Sequence, residues 1–140
     1  MTSVRLALAA TLLGSAAGFA TLGCYRERER FDVPSLTVTP SDSVVAPGDT
    51  LRGTVHATDG SGLSLVRVIA VSLLDATGTR LDSIGQRFNV DDRRSFESSF
   101  AFPMTKTVPI GSVVRLEALA IDNQNFTVQI VDTVFVRARR

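Results

Sequence analysis

Cysteine, histidine, tyrosine and tryptophan are nearly absent from this sequence of 140 residues. It contains one cysteine (Cys24), one histidine (His56), one tyrosine and no tryptophan. A single cysteine cannot form an internal disulfide, so packing must hold the fold together. One histidine and one cysteine cannot build a structural zinc site of the usual kind, and the residue spacing around His56 suggests no Ser-His-Asp triad. We therefore assign no catalytic residue and expect a protein that is not an enzyme.

An excess of charge of either sign is also missing. The chain has 15 basic and 14 acidic residues, and Lys106 is its single lysine. Removing residues 1–23 would remove one basic residue, Arg5, and no acidic residue, so the remainder would be close to neutral. Nucleic-acid binding depends on clustered positive charge, and we expect no nucleic-acid partner. The remaining length is that of one ordinary domain.

A hydrophobic run long enough to span a membrane is missing as well. The apolar segment from Leu6 to Ala20 is diluted by two glycines, a serine and a threonine, and as a helix it would extend roughly 22 Å. A spanning helix needs about 20 apolar residues. A basic residue before such a segment and small residues after it are typical of a cleaved export signal. We predict that residues 1–23 are a signal peptide, with an uncleaved anchor as the alternative.

The lone cysteine follows this segment in the order Thr21-Leu22-Gly23-Cys24. This order resembles the lipobox of bacterial lipoproteins, in which the cysteine becomes the first mature residue and carries a lipid. The resemblance implies lipidation of Cys24 and attachment to a membrane of the bacterial cell envelope. Since Tyr25 rather than an acidic residue follows, it implies the outer membrane in a cell with two membranes. Cleavage after Ala20, leaving Cys24 as a free thiol, is the alternative.

Residues 24–34 carry alternating charges. Arginine and glutamate alternate from Arg26 to Arg30, and Pro34 would end any helix formed there. We interpret the segment as a solvated tether between the lipid and a folded domain. Ten extended residues reach roughly 33–36 Å. Because its charges cancel, the segment would attract lipid headgroups weakly.

From Ser35 onward, apolar residues recur at every second position. The pattern is clear from Leu51 to Ala57 and from Val114 to Ala120, and three phenylalanines share one face between Phe96 and Phe102. Such alternation predicts half-buried strands, and the aliphatic stretch from Leu65 to Leu74 predicts a central strand. Weaker strands are predicted around residues 79–84 and 87–90. About seven short strands separated by turn residues indicate an antiparallel β-sandwich or barrel.

Two segments of this region resemble bacterial immunoglobulin-like domains. They are Thr50–Leu63 and Leu116–Phe126, and in the second a strand ending in Ala-x-Asp leads into an Asn-rich hairpin. The resemblance implies that residues 35–140 form an immunoglobulin-like β-sandwich. The chain lacks the cysteine pair and the tryptophan of antibody-type domains, so it does not belong to that branch.

Two acidic loops would lie at one end of such a sandwich, Asp59–Gly62 and Asp122–Asn125. Asp59, Asp122, Asn123 and Asn125 would then offer oxygen ligands to Ca2+, which takes six to eight. Ordinary turn chemistry explains the same residue types, and their spacing does not match the twelve-residue Ca2+ loop. Ca2+ is therefore a candidate cofactor with an ordinary-turn alternative, and Asp91-Asp92 is expected to lie elsewhere.

Taken with the absence of catalytic groups, these patterns favour a membrane-tethered, non-enzymatic envelope lipoprotein. Its role would be structural, or the recognition of a protein or glycan through a sheet face or edge strand. The alternative is a Ca2+- or carbohydrate-binding module that uses the two acidic loops. Sugar sites favour exposed aromatic platforms, and the absence of tryptophan counts against a glycan ligand.

Overall fold

The computed structural model describes residues 33–74 and 78–139. The predicted signal peptide, Cys24 and most of the predicted tether lie outside the described residues. Within these ranges the chain forms strands and no helix. The eight strands are β1 (Ser35–Pro40), β2 (Val44–Val45), β3 (Thr50–Thr58), β4 (Leu63–Leu73), β5 (Arg80–Phe88), β6 (Ser95–Pro103), β7 (Val113–Asp122) and β8 (Thr127–Val136).

The strands form two sheets that pack face to face. One sheet has the order β1-β3-β6 and the other the order β2-β8-β7-β4-β5. Neighbouring strands are antiparallel, except that β2 runs parallel to the end of β8. Strands that are adjacent in sequence thus often lie in different sheets, as in immunoglobulin-like sandwiches. The predicted immunoglobulin-like β-sandwich is confirmed.

The core lies between the two sheets and is built by the alternation seen in the sequence. Along β3, exposed and buried residues alternate from Thr50 to Ala57, because successive side chains of a strand point to opposite faces. Burial of a large aliphatic side chain stabilises a fold by about 1.5–3 kcal/mol. The largest fully buried apolar side chains come from both sheets and from the turn after β5, and they are Leu63, Leu116, Val55, Val66, Val68, Val90, Val114, Val134 and Val136.

The three phenylalanines predicted to share a face of one strand do enter this core. Phe96 is 8% exposed, and Phe100 and Phe102 are each 2% exposed. The rings of Phe100 and Phe102 stack with centroids 5.2 Å apart. The ring of Phe96 meets that of Phe88 on β5 at 5.3 Å. The contact between Phe96 and Phe88 joins the edges of the two sheets on the side where β5 and β6 lie.

Gly53 allows close packing at the centre of the three-stranded sheet. It lies opposite Phe100 on β6 and opposite Pro40 on β1. A Cβ atom at this position would be 2.4 Å from Cζ of Phe100 and 2.5 Å from the carbonyl oxygen of Thr39. Both distances are far inside normal contact, so the phenyl ring occupies the space that any larger residue would need.

The strands differ from the sequence prediction in two details. The eighth strand, beyond the seven or so expected, is the two-residue β2. The separate strands predicted around 79–84 and 87–90 are wrong, because Arg80–Phe88 forms one strand, β5. The sequence there lacks clear alternation because most of β5 is exposed on both faces, so few of its residues need to be apolar.

The two ends of the sandwich are defined by the strand register. Ser35 of β1 lies opposite Thr58 of β3, so the chain enters beside the loop that begins at Asp59. At the other end, Asp49 precedes β3 and forms an ion pair with Arg139 near the end of the described chain. Arg139 thus has an acidic partner within the domain itself.

Candidate functional site

The two acidic loops meet at one end of the sandwich, as predicted. The loop 59–62 follows β3, and the loop 123–126 follows β7. The backbone N–H of Asn123 donates a hydrogen bond to the carbonyl oxygen of Gly62 at 2.9 Å. The side-chain Nδ2 of Asn123 donates to the carbonyl oxygen of Ser61 at 3.2 Å. These bonds fix the loops against each other.

Asp59 lies one residue past β3 and continues the inward-facing series of that strand. It is 7% exposed. Its Oδ1 atom accepts hydrogen bonds from the backbone N–H of Ser61 at 2.7 Å and from the Ser61 hydroxyl at 2.5 Å. Its Oδ2 atom is buried and has no hydrogen-bond partner. The Oδ1 atom thus stabilises the turn, and the Oδ2 atom takes no part in it.

Asp122 is the last residue of β7, in the five-stranded sheet. It is 1% exposed. Its Oδ1 atom accepts hydrogen bonds from the backbone N–H groups of Gln124 at 2.8 Å and Phe126 at 2.7 Å. Its Oδ2 atom is also buried without a hydrogen-bond partner. Leaving a buried polar group unsatisfied costs about 1–3 kcal/mol, and more for a charged one, so these two oxygens require an explanation.

The two asparagines of the predicted ligand set have turn roles. Asn123 is exposed, and its side-chain amide is engaged with Ser61. Asn125 is exposed and has a left-handed backbone with φ of 67°, which asparagine tolerates better than most residues. The structure therefore brings Asp59 and Asp122 to one end of the core and places Asn123 and Asn125 on its surface.

The prediction that Asp91-Asp92 lies elsewhere is wrong. The carbonyl oxygen of Arg93 accepts the N–H of Leu63, and that of Arg94 accepts the N–H of Asp59, each at 2.9 Å. The turn lies at this end because β5 runs antiparallel to β4 and ends opposite the start of β4. Both aspartates adopt left-handed φ angles and are exposed, which is turn chemistry.

No group of three or more histidine, cysteine, aspartate or glutamate side chains converges anywhere in residues 33–74 and 78–139. A metal at the acidic end would thus need backbone carbonyl oxygens and water to complete its ligands, as Ca2+ commonly accepts. His56 is exposed on the outer face of β3, away from Asp59 and Asp122.

A second surface feature is the edge strand β5. Its hydrogen bonds to other strands go to β4 alone, so within the described residues no strand lies along its other side. Seven of its nine residues are exposed, including the apolar Leu81 at 44% and Ile84 at 37%. A long exposed edge is a template for pairing with another chain. The sequence predicted an edge strand or sheet face as an interaction surface without locating it.

Positive charge collects on the outer face beside this edge. Arg67 of β4 lies directly opposite Arg87 of β5, and like charges facing each other across a sheet are destabilising. Among the ion pairs of the described chain, neither arginine takes part. Sequence reasoning missed this pair because the two residues are twenty positions apart, and their register follows only from how β5 aligns with β4.

The other nine-residue edge, β6, differs in character. Its phenylalanines point into the core. Its exposed positions are Ser95, Glu97, Ser99, Ala101 and Pro103, and Ser98 is partly exposed. It presents no exposed large apolar side chain, and Pro103 ends it without a backbone donor. Of the two long edges, β5 offers the apolar side chains and the positive charge.

The predicted lipid attachment at Cys24 lies outside the described residues. In the part of the chain that the structure covers, no helix has the length and hydropathy needed to cross a membrane.

No protein-family model matches the sequence, and no curated protein matches it either. The fold is similar to that of the sporulation control protein Spo0M from Bacillus subtilis, with a TM-score of 0.57 and 14% identity, over 77% of this chain and 51% of that one. This chain thus spans about half the length of Spo0M.

Two further solved structures are similar at lower scores. The CARDB domain of the PF1109 protein from Pyrococcus furiosus, solved with di-metal ions, has a TM-score of 0.40 and 20% identity over 76% of this chain and 90% of that chain. A glycosyl hydrolase family 2 member from Bacteroides cellulosilyticus has a TM-score of 0.44 and 12% identity over 71% of this chain and 14% of that chain. At these identities the similarity concerns the fold alone.

Proposed function

We propose that this protein is a lipid-anchored, non-enzymatic protein of the bacterial cell envelope whose domain binds an extended, acidic segment of a partner protein along β5. The observation that carries the binding role is the edge strand itself. It exposes seven of nine residues and bonds to a neighbouring strand on one side only. An added strand would hydrogen-bond to the backbone groups along its other side.

The side chains along this edge define the chemistry of the partner. Leu81 and Ile84 offer apolar contacts at alternate faces of the strand, as strand addition uses for specificity. Arg80 and Arg87 stand near its two ends, and Asp82 is the one acidic residue between them. A partner segment with carboxylates would relieve the repulsion between Arg87 and Arg67. The charge of the surface therefore favours an acidic strand.

Support for the anchor comes from the sequence. The short apolar segment before Cys24 is typical of an export signal, and the residues around Cys24 resemble a lipobox. The membrane, through an N-terminal lipid on Cys24, would be the first partner of the protein. The outer membrane is the expected location in a cell with two membranes.

A glycan ligand is the weaker candidate. Stacking on a sugar requires an exposed aromatic ring. Among the phenylalanines of the described chain, Phe135 is the exposed one, at 50%. It lies on β8, at the opposite side of the five-stranded sheet from β5.

Site-specific photo-crosslinking in the native cell envelope tests the proposal. A photoreactive amino acid replaces Ile84 on β5, and matched proteins carry it at Glu97 on β6 or at Thr54 on the outer face of β3. We expect one defined adduct from position 84 and none from positions 97 and 54. In the position-84 protein, Arg87→Glu should reduce the adduct severalfold because it reverses the charge that an acidic segment meets.

Adducts of equal yield at all three positions would contradict binding at the β5 edge. An adduct that Arg87→Glu leaves unchanged would contradict the acidic character of the segment. Circular dichroism of each purified variant checks that the sandwich is retained.

A further inference from the structure

Asp59 and Asp122 share a property that the turn roles of their Oδ1 atoms do not explain. Each side chain is more than nine-tenths buried, and each leaves its Oδ2 atom buried without a hydrogen-bond partner. Turn formation is complete without these atoms, because the four turn hydrogen bonds all go to the Oδ1 atoms. The remaining oxygens point to a ligand that the two turns do not supply.

Both carboxylates face the space between the sheets at the same end. Asp59 continues the buried series Leu51, Val55 and Ala57 of the first sheet. Asp122 ends the buried series of β7 in the second sheet. The contacts between Asn123 and the 59–62 loop hold the two loops together. One carboxylate from each sheet is therefore directed toward the same end of the core.

The charge at this position favours a cation. Neither carboxylate forms an ion pair with any arginine, lysine or histidine of the described residues, and a buried carboxylate without a counter-ion is costly. Oxygen donors suit hard cations, and Ca2+ accepts carboxylates, backbone carbonyls and water in flexible geometry. Mg2+ demands a stricter octahedron and keeps more of its water, so a site with two side-chain ligands that are set by separate turns suits Ca2+ better.

Solvent reaches the Asp59 side of this end of the sandwich. A shallow cleft of about 350 Å3 opens beside the entry of the chain and is lined by Asp59 and the exposed Arg94, among others. Arg94 adds a positive charge near the opening, and the exposed Asp91 and Asp92 on the same turn add negative charge. These charges lie in solvent, where they are screened over about 8–10 Å. The two buried carboxylates therefore dominate the electrostatic potential that a cation meets inside this end of the sandwich.

We propose that Asp59 and Asp122 together bind one Ca2+ ion through their Oδ2 atoms, clamping the two sheets at the end where the chain enters the domain. This site is smaller than the four-residue set predicted from the sequence, because Asn123 and Asn125 serve the turns. The ion would connect the β3–β4 loop, which runs between the two sheets, to the β7–β8 loop of the five-stranded sheet. The proposal is independent of binding at β5.

Calorimetry and thermal unfolding of the purified protein after treatment with a chelator test the site. Titration with CaCl2 should give saturable binding of one ion per chain. The melting temperature should rise by about 10 °C at a free Ca2+ concentration of about 100 times Kd. Asp59→Asn and Asp122→Asn each keep a turn acceptor but replace a carboxylate oxygen, and each should abolish the Ca2+-dependent rise.

Asp91→Asn is the matched control, since it makes the same substitution at the same end on an exposed turn. The rise should persist in this variant. Absence of calcium binding by the wild-type protein, or a rise that survives in both Asp59→Asn and Asp122→Asn, would overturn the proposal. Should either variant fail to fold, a high-resolution crystal structure of the wild-type protein grown with CaCl2 shows whether an ion lies on the two Oδ2 atoms. An ordered water instead of an ion on the Oδ2 atoms would refute the site.

Discussion

Replacing Gly53 by alanine tests the packing of the two sheets at its tightest point. Removing a glycine usually stabilises a protein by about 0.4–1 kcal/mol, because the unfolded chain loses freedom. Here the added Cβ would lie 2.4 Å from Cζ of Phe100 and 2.5 Å from the carbonyl oxygen of Thr39. Carbon atoms in contact are normally about 3.5–4.0 Å apart, so neighbouring groups must move by about 1 Å.

Neither neighbour of Gly53 moves easily. Phe100 is 2% exposed and stacks on Phe102, and Thr39 belongs to β1, which is hydrogen-bonded to β3. Overpacking of this kind costs about 1–3 kcal/mol and occasionally more. We expect Gly53→Ala to lower the free energy of unfolding by about 2–4 kcal/mol, which corresponds to a fall in Tm of roughly 8–16 °C.

Urea denaturation of the purified protein measures the effect, with Gly60→Ala as the control. No atom lies within 4 Å of a Cβ built at Gly60, so this variant should be neutral or slightly stabilised. If Gly53→Ala proved as stable as Gly60→Ala, the close approach of Phe100 to β3 would be wrong, and with it the described packing of the core.

Three further substitutions examine other parts of the fold by the same denaturation assay. Leu116→Ala should cost about 2–5 kcal/mol, since Leu116 is fully buried at the centre of the core; a cost under 1 kcal/mol would contradict its position. Arg139→Ala should lower the free energy of unfolding by less than about 1 kcal/mol, because its ion pair with Asp49 is exposed. A larger loss would contradict the minor role of this pair in stability. Gly62→Ala should cost more than Gly111→Ala, because both have φ near +90° but only Gly62 would also place its Cβ 2.7 Å from a backbone carbonyl oxygen. Equal losses would show that backbone strain alone decides.

The alternation of apolar residues was enough to predict the sandwich, since burial on one face dictates period two. Leu51 to Ala57 and Val114 to Ala120 both form strands with buried inward residues. The same logic failed at β5, where an edge strand buries little and its residues follow no pattern. Alternation reports burial of one face, so it loses its signal in β5, which is exposed on both faces, and keeps it in the edge strand β6, whose phenylalanines enter the core.

The meeting of the two acidic loops was predictable from the immunoglobulin-like resemblance, but the state of their atoms was not. The sequence could not show that Oδ1 of Asp122 is used by its turn while Oδ2 is left buried. It also misplaced Asp91-Asp92, because the position of that turn depends on β5 being one continuous strand antiparallel to β4. The register between strands decides which residues meet at the site, and this register follows from the pairing of strands in three dimensions.

Mass spectrometry of the mature protein purified from envelope membranes tests the proposed tethered function most directly. The account predicts that the N-terminal residue is Cys24 and that its mass includes acyl chains. A mature chain that begins at Thr21 with an unmodified thiol would contradict the lipid anchor.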